Sequence, residues 1–438
     1  MDQTEALIIE TIDRHREEIL EFARDIYSHA ELGYKEFQTS GKFVKKMEQL
    51  GLRTEKGFAI TGVKAYLNED KKENASLALL GELDALRIPE HAFANPVTNA
   101  AHCCGHHAQM AGVFGAALAL TVPEIAEKLD GQVVFFATPA EEYGEIEFKN
   151  QLREQGKIRY GGGKCELLRI GAFDDIDLCL THHIRPGNEI LVGSGTGNGF
   201  VSKVIRVLGK ASHAAGAPEK GVNALSAASL GLQALGLNRE TFRDEDCVRV
   251  HPIITKGGNL VNVIPDEVVV ETLVRGKTIE AFTDAAKKTD RSFKAGAIAM
   301  GAKVEISTLP GYLPTLAEEA LPELKHAAEI SASGIPVIEA SGHAGGSTDV
   351  GDVQHLMPVY TFNTGGVKGG LHQIDFEVTD EEEAYIVTAK MFALAAYGLL
   401  KEKAQRSREL VDQYEPVFKN SAEYVEFMEQ FDSKEIFE

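Results

Sequence analysis

Cysteine is scarce in this chain: five residues among 438, at Cys103, Cys104, Cys165, Cys179 and Cys247. An odd and small number in a long chain argues against a disulfide framework and fits reduced thiols. Basic residues are also short, with 45 Lys and Arg against 66 Asp and Glu and a formal net charge of -21. That excess repels phosphates over most approaches, so neither nucleic acid nor an anionic membrane surface is an expected partner. Metal cations and neutral or locally steered substrates fit it. No uninterrupted apolar run approaches the roughly 20 residues a membrane helix needs. The opening "MDQTEALIIETIDRHREEILEFARDIYSHAELG" carries charge throughout and reads as a helix, without the basic-then-apolar layout of a signal peptide. A cytoplasmic location is the expectation. Internal repeats and low-complexity segments are absent.

What is present is an ordinary globular composition, 44% hydrophobic and 25% charged. A chain of this length exceeds what one core usually organises, so two domains are expected. The runs "SLALLGELDAL" (76–86), "QVVFFATPA" (132–140), "IDLCLTHH" (176–183) and "PVYTFNTGG" (358–366) alternate with helical stretches. Continuously apolar strands between helices predict a mixed sheet covered on both faces, an α/β architecture. Unusual polar residues stand at the strands' C-terminal ends, where open α/β sheets place ligands. Between 194 and 308 the pattern becomes βαββαβ, the order of a small sandwich of one sheet and two helices. The expected division is therefore 1–193 with 309–438 as one domain and 194–308 as an inserted α+β domain.

The stretch "NAAHCCGHHAQMAG" (99–112) concentrates His102, Cys104, His106 and His107. Thiolate and imidazole suit Zn, Mn, Co or Ni. A lone His or Cys in such a turn is more often structural, and vicinal Cys103 and Cys104 lack the C-x-x-C spacing of a redox pair. Three further segments strengthen the metal reading. Glu141 and Glu142 follow a strand in "ATPAEEYGE", His182 and His183 end another in "LCLTHHIRPG", and His372 follows a glycine turn in "GGLHQIDFEV".

These motifs, with "HAELGYKE" (29–36), "LDAL" (83–86), "GAFDDID" (171–177), "GKASHAA" (209–215), "NVIPDE" (262–267) and "GGSTDVGDV" (345–353), give a chain that resembles metallopeptidase family M20, subfamily D amidohydrolases. The resemblance implies two divalent ions per chain, held by Cys104, His106, Glu142, His183 and His372, with Glu141 as general base. It implies a lid and dimerisation role for 194–308. There His213 would polarise the scissile carbonyl, in several relatives across a dimer interface, and Asn262 and Arg275 would hold a substrate carboxylate. It also implies a homodimer and a small amide or dipeptide-like substrate: an N-acyl amino acid, an aminoacyl-glutamate or a dipeptide. An N-acetyl-amino-acid deacetylase and a catalytically silent binding module on the same scaffold are the rivals. The chain departs from the subfamily at His107 and Gln109, at the extra thiol Cys103 and in the charge-rich connection "YGEIEFKNQLREQGKIRY" (143–160). "STDVGDV" is similar to the aminobenzoyl-glutamate hydrolase branch.

Overall fold

The computed structural model describes every residue except Ser333. The chain divides into two compact units: Met1–Gly195, Leu316–Gly342 and Asp352–Ser421 form the first, and Thr196–Thr315, His343–Gly351 and Ala422–Glu438 the second.

The first unit is built on an eight-stranded mixed sheet in the order Arg53–Phe58, Gly62–Leu67, Gln132–Thr138, Ser76–Glu82, Leu178–Ile184, Val359–Thr364, Ile190–Val192, Val337–Glu339. Every residue of Ser76–Glu82 and of Gln132–Thr138 is buried. This is the behaviour expected of strands with helices on both faces. The helix His106–Leu120 is apolar nearly all round and buried at all fifteen positions, so it belongs to the core rather than the surface. At its entry Gly105 holds φ +88°, and a Cβ there would sit 2.0 Å from Ile184 Cγ2, so only glycine fits. Two later helices, Pro322–Ser331 and Thr388–Gln413, also join the main core. Among the described residues, one helix, Glu382–Gln413, is long and apolar enough to cross a membrane by length and composition. Its apolar window is 89% buried within the protein. The sequence alone does not reveal it because Lys390 interrupts the run; that lysine is buried and pairs with Asp13 at 2.5 Å.

The second unit has the expected βαββαβ order: Gly199–Leu208, helix Ala224–Asn238, the short strands Arg249–Val250 and Ile253–Lys256, Glu267–Gly276, helix Ile279–Met300 and Lys303–Tyr312. All its pairings in this sheet are antiparallel. Alternate positions, Val201, Ile205 and Val207 with Val268, Val270 and Val274, pack under the two helices. The unit is not confined to 194–308. Strand Lys303–Tyr312 runs on past 308, with Tyr312 opposite Phe200. Ser433–Phe437 then pairs antiparallel along its outer edge, so a segment expected in the other domain completes this sheet.

Candidate metal centre

Four segments of the first unit bring their donors together. Cys104 Sγ lies 3.3 Å from His183 Nε2 and 3.3 Å from His372 Nε2. His372 Nε2 lies 3.1 Å from Glu142 Oε1. The triads Cys104–His106–His183, Cys104–Glu142–His372 and His106–Glu141–Glu142 each place their ligand atoms within 4.8 Å of one another. Every position named from the sequence as a metal ligand is in this cluster, and Glu141 is beside them, 8% exposed.

The local fold orients these groups before any ion arrives. His106 Nδ1 donates to the Asp84 carbonyl at 2.9 Å, and His183 Nδ1 to the Ile184 carbonyl at 2.7 Å. A ring whose Nδ1 carries the proton presents a lone pair at Nε2, the atom that points into the cluster. Asp84 also accepts the Glu142 N–H on Oδ2 at 2.9 Å, so one aspartate sets both His106 and Glu142. His372 adopts φ +63°, a region rare for non-glycine residues, and its N–H donates to the Cys103 carbonyl at 2.9 Å. Such backbone strain persists where the surroundings impose it, commonly at functional sites.

The electrostatics favour a cation. Burial and the neighbouring Glu142 and Glu141 carboxylates push the Cys104 thiol well above its usual range. Burial opposes charge on His106, yet Glu82 and Cys104 hold its pKa well above the ordinary histidine value, so a divalent ion at this nitrogen would take the place of a proton. Burial and the neighbouring His106 lower His183. Nε2 of His106 and Oε1 of Glu142 are buried without a hydrogen-bond partner, although Glu82 Oε2 and His372 Nε2 lie 3.1 Å away from them. Buried polar atoms left so are costly unless something else satisfies them. A soft and borderline donor set of thiol, imidazole and carboxylate fits divalent ions of the zinc type.

Some singled-out residues serve packing instead. His182 is buried, bonds Thr364 Oγ1 at 2.8 Å and packs against Phe362 and Phe392. His107 Nε2 meets the Tyr385 hydroxyl at 3.1 Å. Sequence reasoning gives no role to Glu82 or Lys164, which form a fully buried pair at 2.5 Å. Gln109 braces it, its Nε2 donating to Glu82 Oε2 at 2.8 Å and its Oε1 accepting the Glu82 N–H at 2.9 Å. The sequence offers only a faint signal, carboxylates at and just after the end of an otherwise apolar strand, where buried charge is retained only with a partner.

His213, Asn262 and Arg275 lie in the second unit. His213 and Asn262 are on two turns stitched together by Ala214 N–H to the Asn262 carbonyl, 3.0 Å, and Ile264 N–H to the Ser212 carbonyl, 2.9 Å. His213 Nδ1 accepts from the N–H groups of Ala215 and Gly216 at 3.2 and 2.9 Å. Arg275 stacks over Phe200, 5.4 Å from the ring centre, and donates to Ser347 Oγ at 2.9 Å.

Residues 78–397 match the model of peptidase family M20/M25/M40. The chain belongs to that family. Its members are hydrolases of amide bonds, and so is this chain. A mouse Xaa-Arg dipeptidase is 27% identical over 406 residues, 90% of this chain and 85% of its own length. The Bacillus subtilis N-acetylcysteine deacetylase is 26% identical, covering 87% and 97%. A solved Bacillus subtilis structure described as a dinuclear metal binding peptidase from M20 family shares the fold, with TM-score 0.61, 24% identity, 89% of this chain and 99% of that one.

Proposed function

We propose that the chain is a two-metal amidohydrolase that cleaves an N-acyl amino acid, aminoacyl-glutamate or dipeptide-like amide. The observation that carries this is the convergence of Cys104, His106, Glu142, His183 and His372 from four segments, with Nε2 of His106 and of His183 directed inward. These five residues are the proposed ligands, the side chains that would hold the ions. Zinc suits the thiolate and manganese the family; cobalt and nickel suit the same donors. When bound, divalent ions polarise a carbonyl and make a water acidic enough to attack at neutral pH.

The remaining steps fall to side chains. Glu141 takes the proton of the attacking water and delivers it to the leaving amine. His213 accepts two N–H bonds on Nδ1, so its neutral ring carries the proton on Nε2 and donates to a carbonyl oxygen. Arg275, with Asn262, offers a fork suited to a substrate carboxylate. His213 acts in trans in a homodimer formed through the second unit, and the enzyme works in the cytoplasm, in keeping with five free cysteines. The likeness to N-acetylcysteine deacetylase favours N-acetyl amino acids as a second substrate class. Elemental analysis should find up to two divalent ions per chain, and a panel of acyl-amino acids and dipeptides should be hydrolysed in a chelator-sensitive manner. No stoichiometric metal together with chelator-insensitive turnover overturns the assignment.

A further inference from the structure

We propose that Lys149 is a positioning residue that fixes the main chain of Glu142 for metal binding, an inference resting on the metal reading above. Lys149 sits on the helix Ile146–Glu154, inside the charge-rich connection that departs from the family pattern. It is only 3% exposed, and its Nζ donates to the Glu142 carbonyl at 2.6 Å. The ammonium lies 5.7 Å from the ring centre of Tyr34 and 5.0 Å from that of Tyr143. The helix is itself pinned near its start, where Lys35 pairs with Glu145 at 2.8 Å and lies 4.0 Å over Phe148.

Residues 139–145 belong to no helix or strand, and Ala140 and Glu145 hold φ +50° and +48°. No ladder runs along this backbone: the Ala140 and Glu145 carbonyls accept the Gly163 and Lys149 N–H groups at 3.0 Å each, while the Ala140 N–H and both peptide groups of Glu142 are met by side chains. The peptide groups flanking the Glu142 Cα are bonded on both sides: its N–H to Asp84 Oδ2 and its C=O to Lys149 Nζ. A carboxylate anchored at both peptides presents its oxygens in a narrow range of positions, as groups bracing a ligand do.

Two effects of Lys149 have opposite sign. As a buried cation it repels arriving divalent ions, so its loss would tighten their binding; as a brace it preorganises a ligand, so its loss would weaken it. Partners that brace metal ligands typically contribute 10- to 100-fold in affinity. The repulsion is damped here by the carbonyl dipole and the two aromatic faces that the ammonium already occupies. Bracing prevails.

The test uses the full chain stripped of metal, with Zn²⁺ and Mn²⁺ affinities measured by competition with a chromophoric chelator, and melting of the stripped proteins as the structural readout. Lys149→Met should lose about 10- to 100-fold in affinity, with melting of the stripped protein unchanged. Ethylammonium should restore affinity to Lys149→Ala in a saturable way. Unchanged or tighter metal binding by Lys149→Met, while the wild type binds, overturns this proposal and leaves the metal reading standing. A wild type that binds neither ion overturns both. Where Lys149→Met does not fold, Lys149→Ala refolded with ethylammonium replaces it, and an affinity independent of ammonium concentration overturns the proposal.

Discussion

Glu141→Gln exchanges a carboxylate for an amide of nearly the same size that accepts no proton. Turnover should fall on the order of 10²- to 10⁴-fold, while metal content and melting temperature stay near wild type. Near-normal turnover in this variant would place the base elsewhere. A second single residue sets a pH limit on stability. Burial raises Glu318 to about 8 against 4.5 for an ordinary glutamate, outweighing the bonds it accepts from Thr361 and Gln354. Below pH 4.5 the group is protonated folded or unfolded. Between the two values the folded chain keeps a proton that the unfolded chain has released, so stability falls as pH rises, by up to about 1.4 kcal/mol per unit. The loss is complete above the folded value. Glu318→Gln should flatten this decline, and melting temperatures measured from pH 5 to 9 would show it; parallel curves for the two proteins would assign the slope to other groups.

At the scale of elements, what can be read from the sequence depends on whether burial leaves a pattern. The runs at 76–86 and 132–140 are so apolar that buried strands between helices are their natural reading, and the βαββαβ order of the second sheet follows from its alternation. The pair His182 and His183 shows where that stops. Successive strand residues face opposite ways, and one of the two had to enter the core. Since Leu178–Ile184 is covered on both faces, only the packing of Phe362 and Phe392 decides that His182 is the core residue and His183 the cluster residue. Ser433–Phe437 is illegible for another reason. It is short, mostly exposed and rich in charge, and becomes a strand because Lys303–Tyr312 offers it an edge. Deleting 433–438 should leave that edge unpaired beside buried Val304 and Ile306. Such edges recruit other chains, so light scattering on warming should rise well before it does in the intact protein. Unchanged scattering and melting would mean that the strand contributes little.

For the whole molecule, the question raised by the family resemblance is whether one protomer's lid completes another's centre. Glu141→Gln and His213→Ala protomers, each nearly inactive, provide the measurement when mixed under conditions that allow exchange between dimers. With His213 acting in trans, a mixed dimer contains one centre carrying both lesions and one carrying neither, and activity reappears. Continued inactivity after verified exchange would place His213 in cis. Five metal-type donors are legible because their residue types are rare and clustered. Asp84, Glu82 and Lys164 are less so, because a carboxylate or lysine becomes informative only once its burial is known.

The pairing of Lys303–Tyr312 with Ser433–Phe437 also has a temporal side. The second strand lies roughly 120 residues downstream of the first. At synthesis rates of about 5–20 residues per second, the nascent sheet waits on the order of 6–24 seconds with its border strand unmatched. During that interval the outward hydrogen-bonding groups of Val304–Thr308, which later meet Ser433–Phe437, are open to any neighbouring nascent chain. Yield of properly folded protein should therefore depend on translation speed and on chaperone supply more than on the equilibrium stability of the finished molecule.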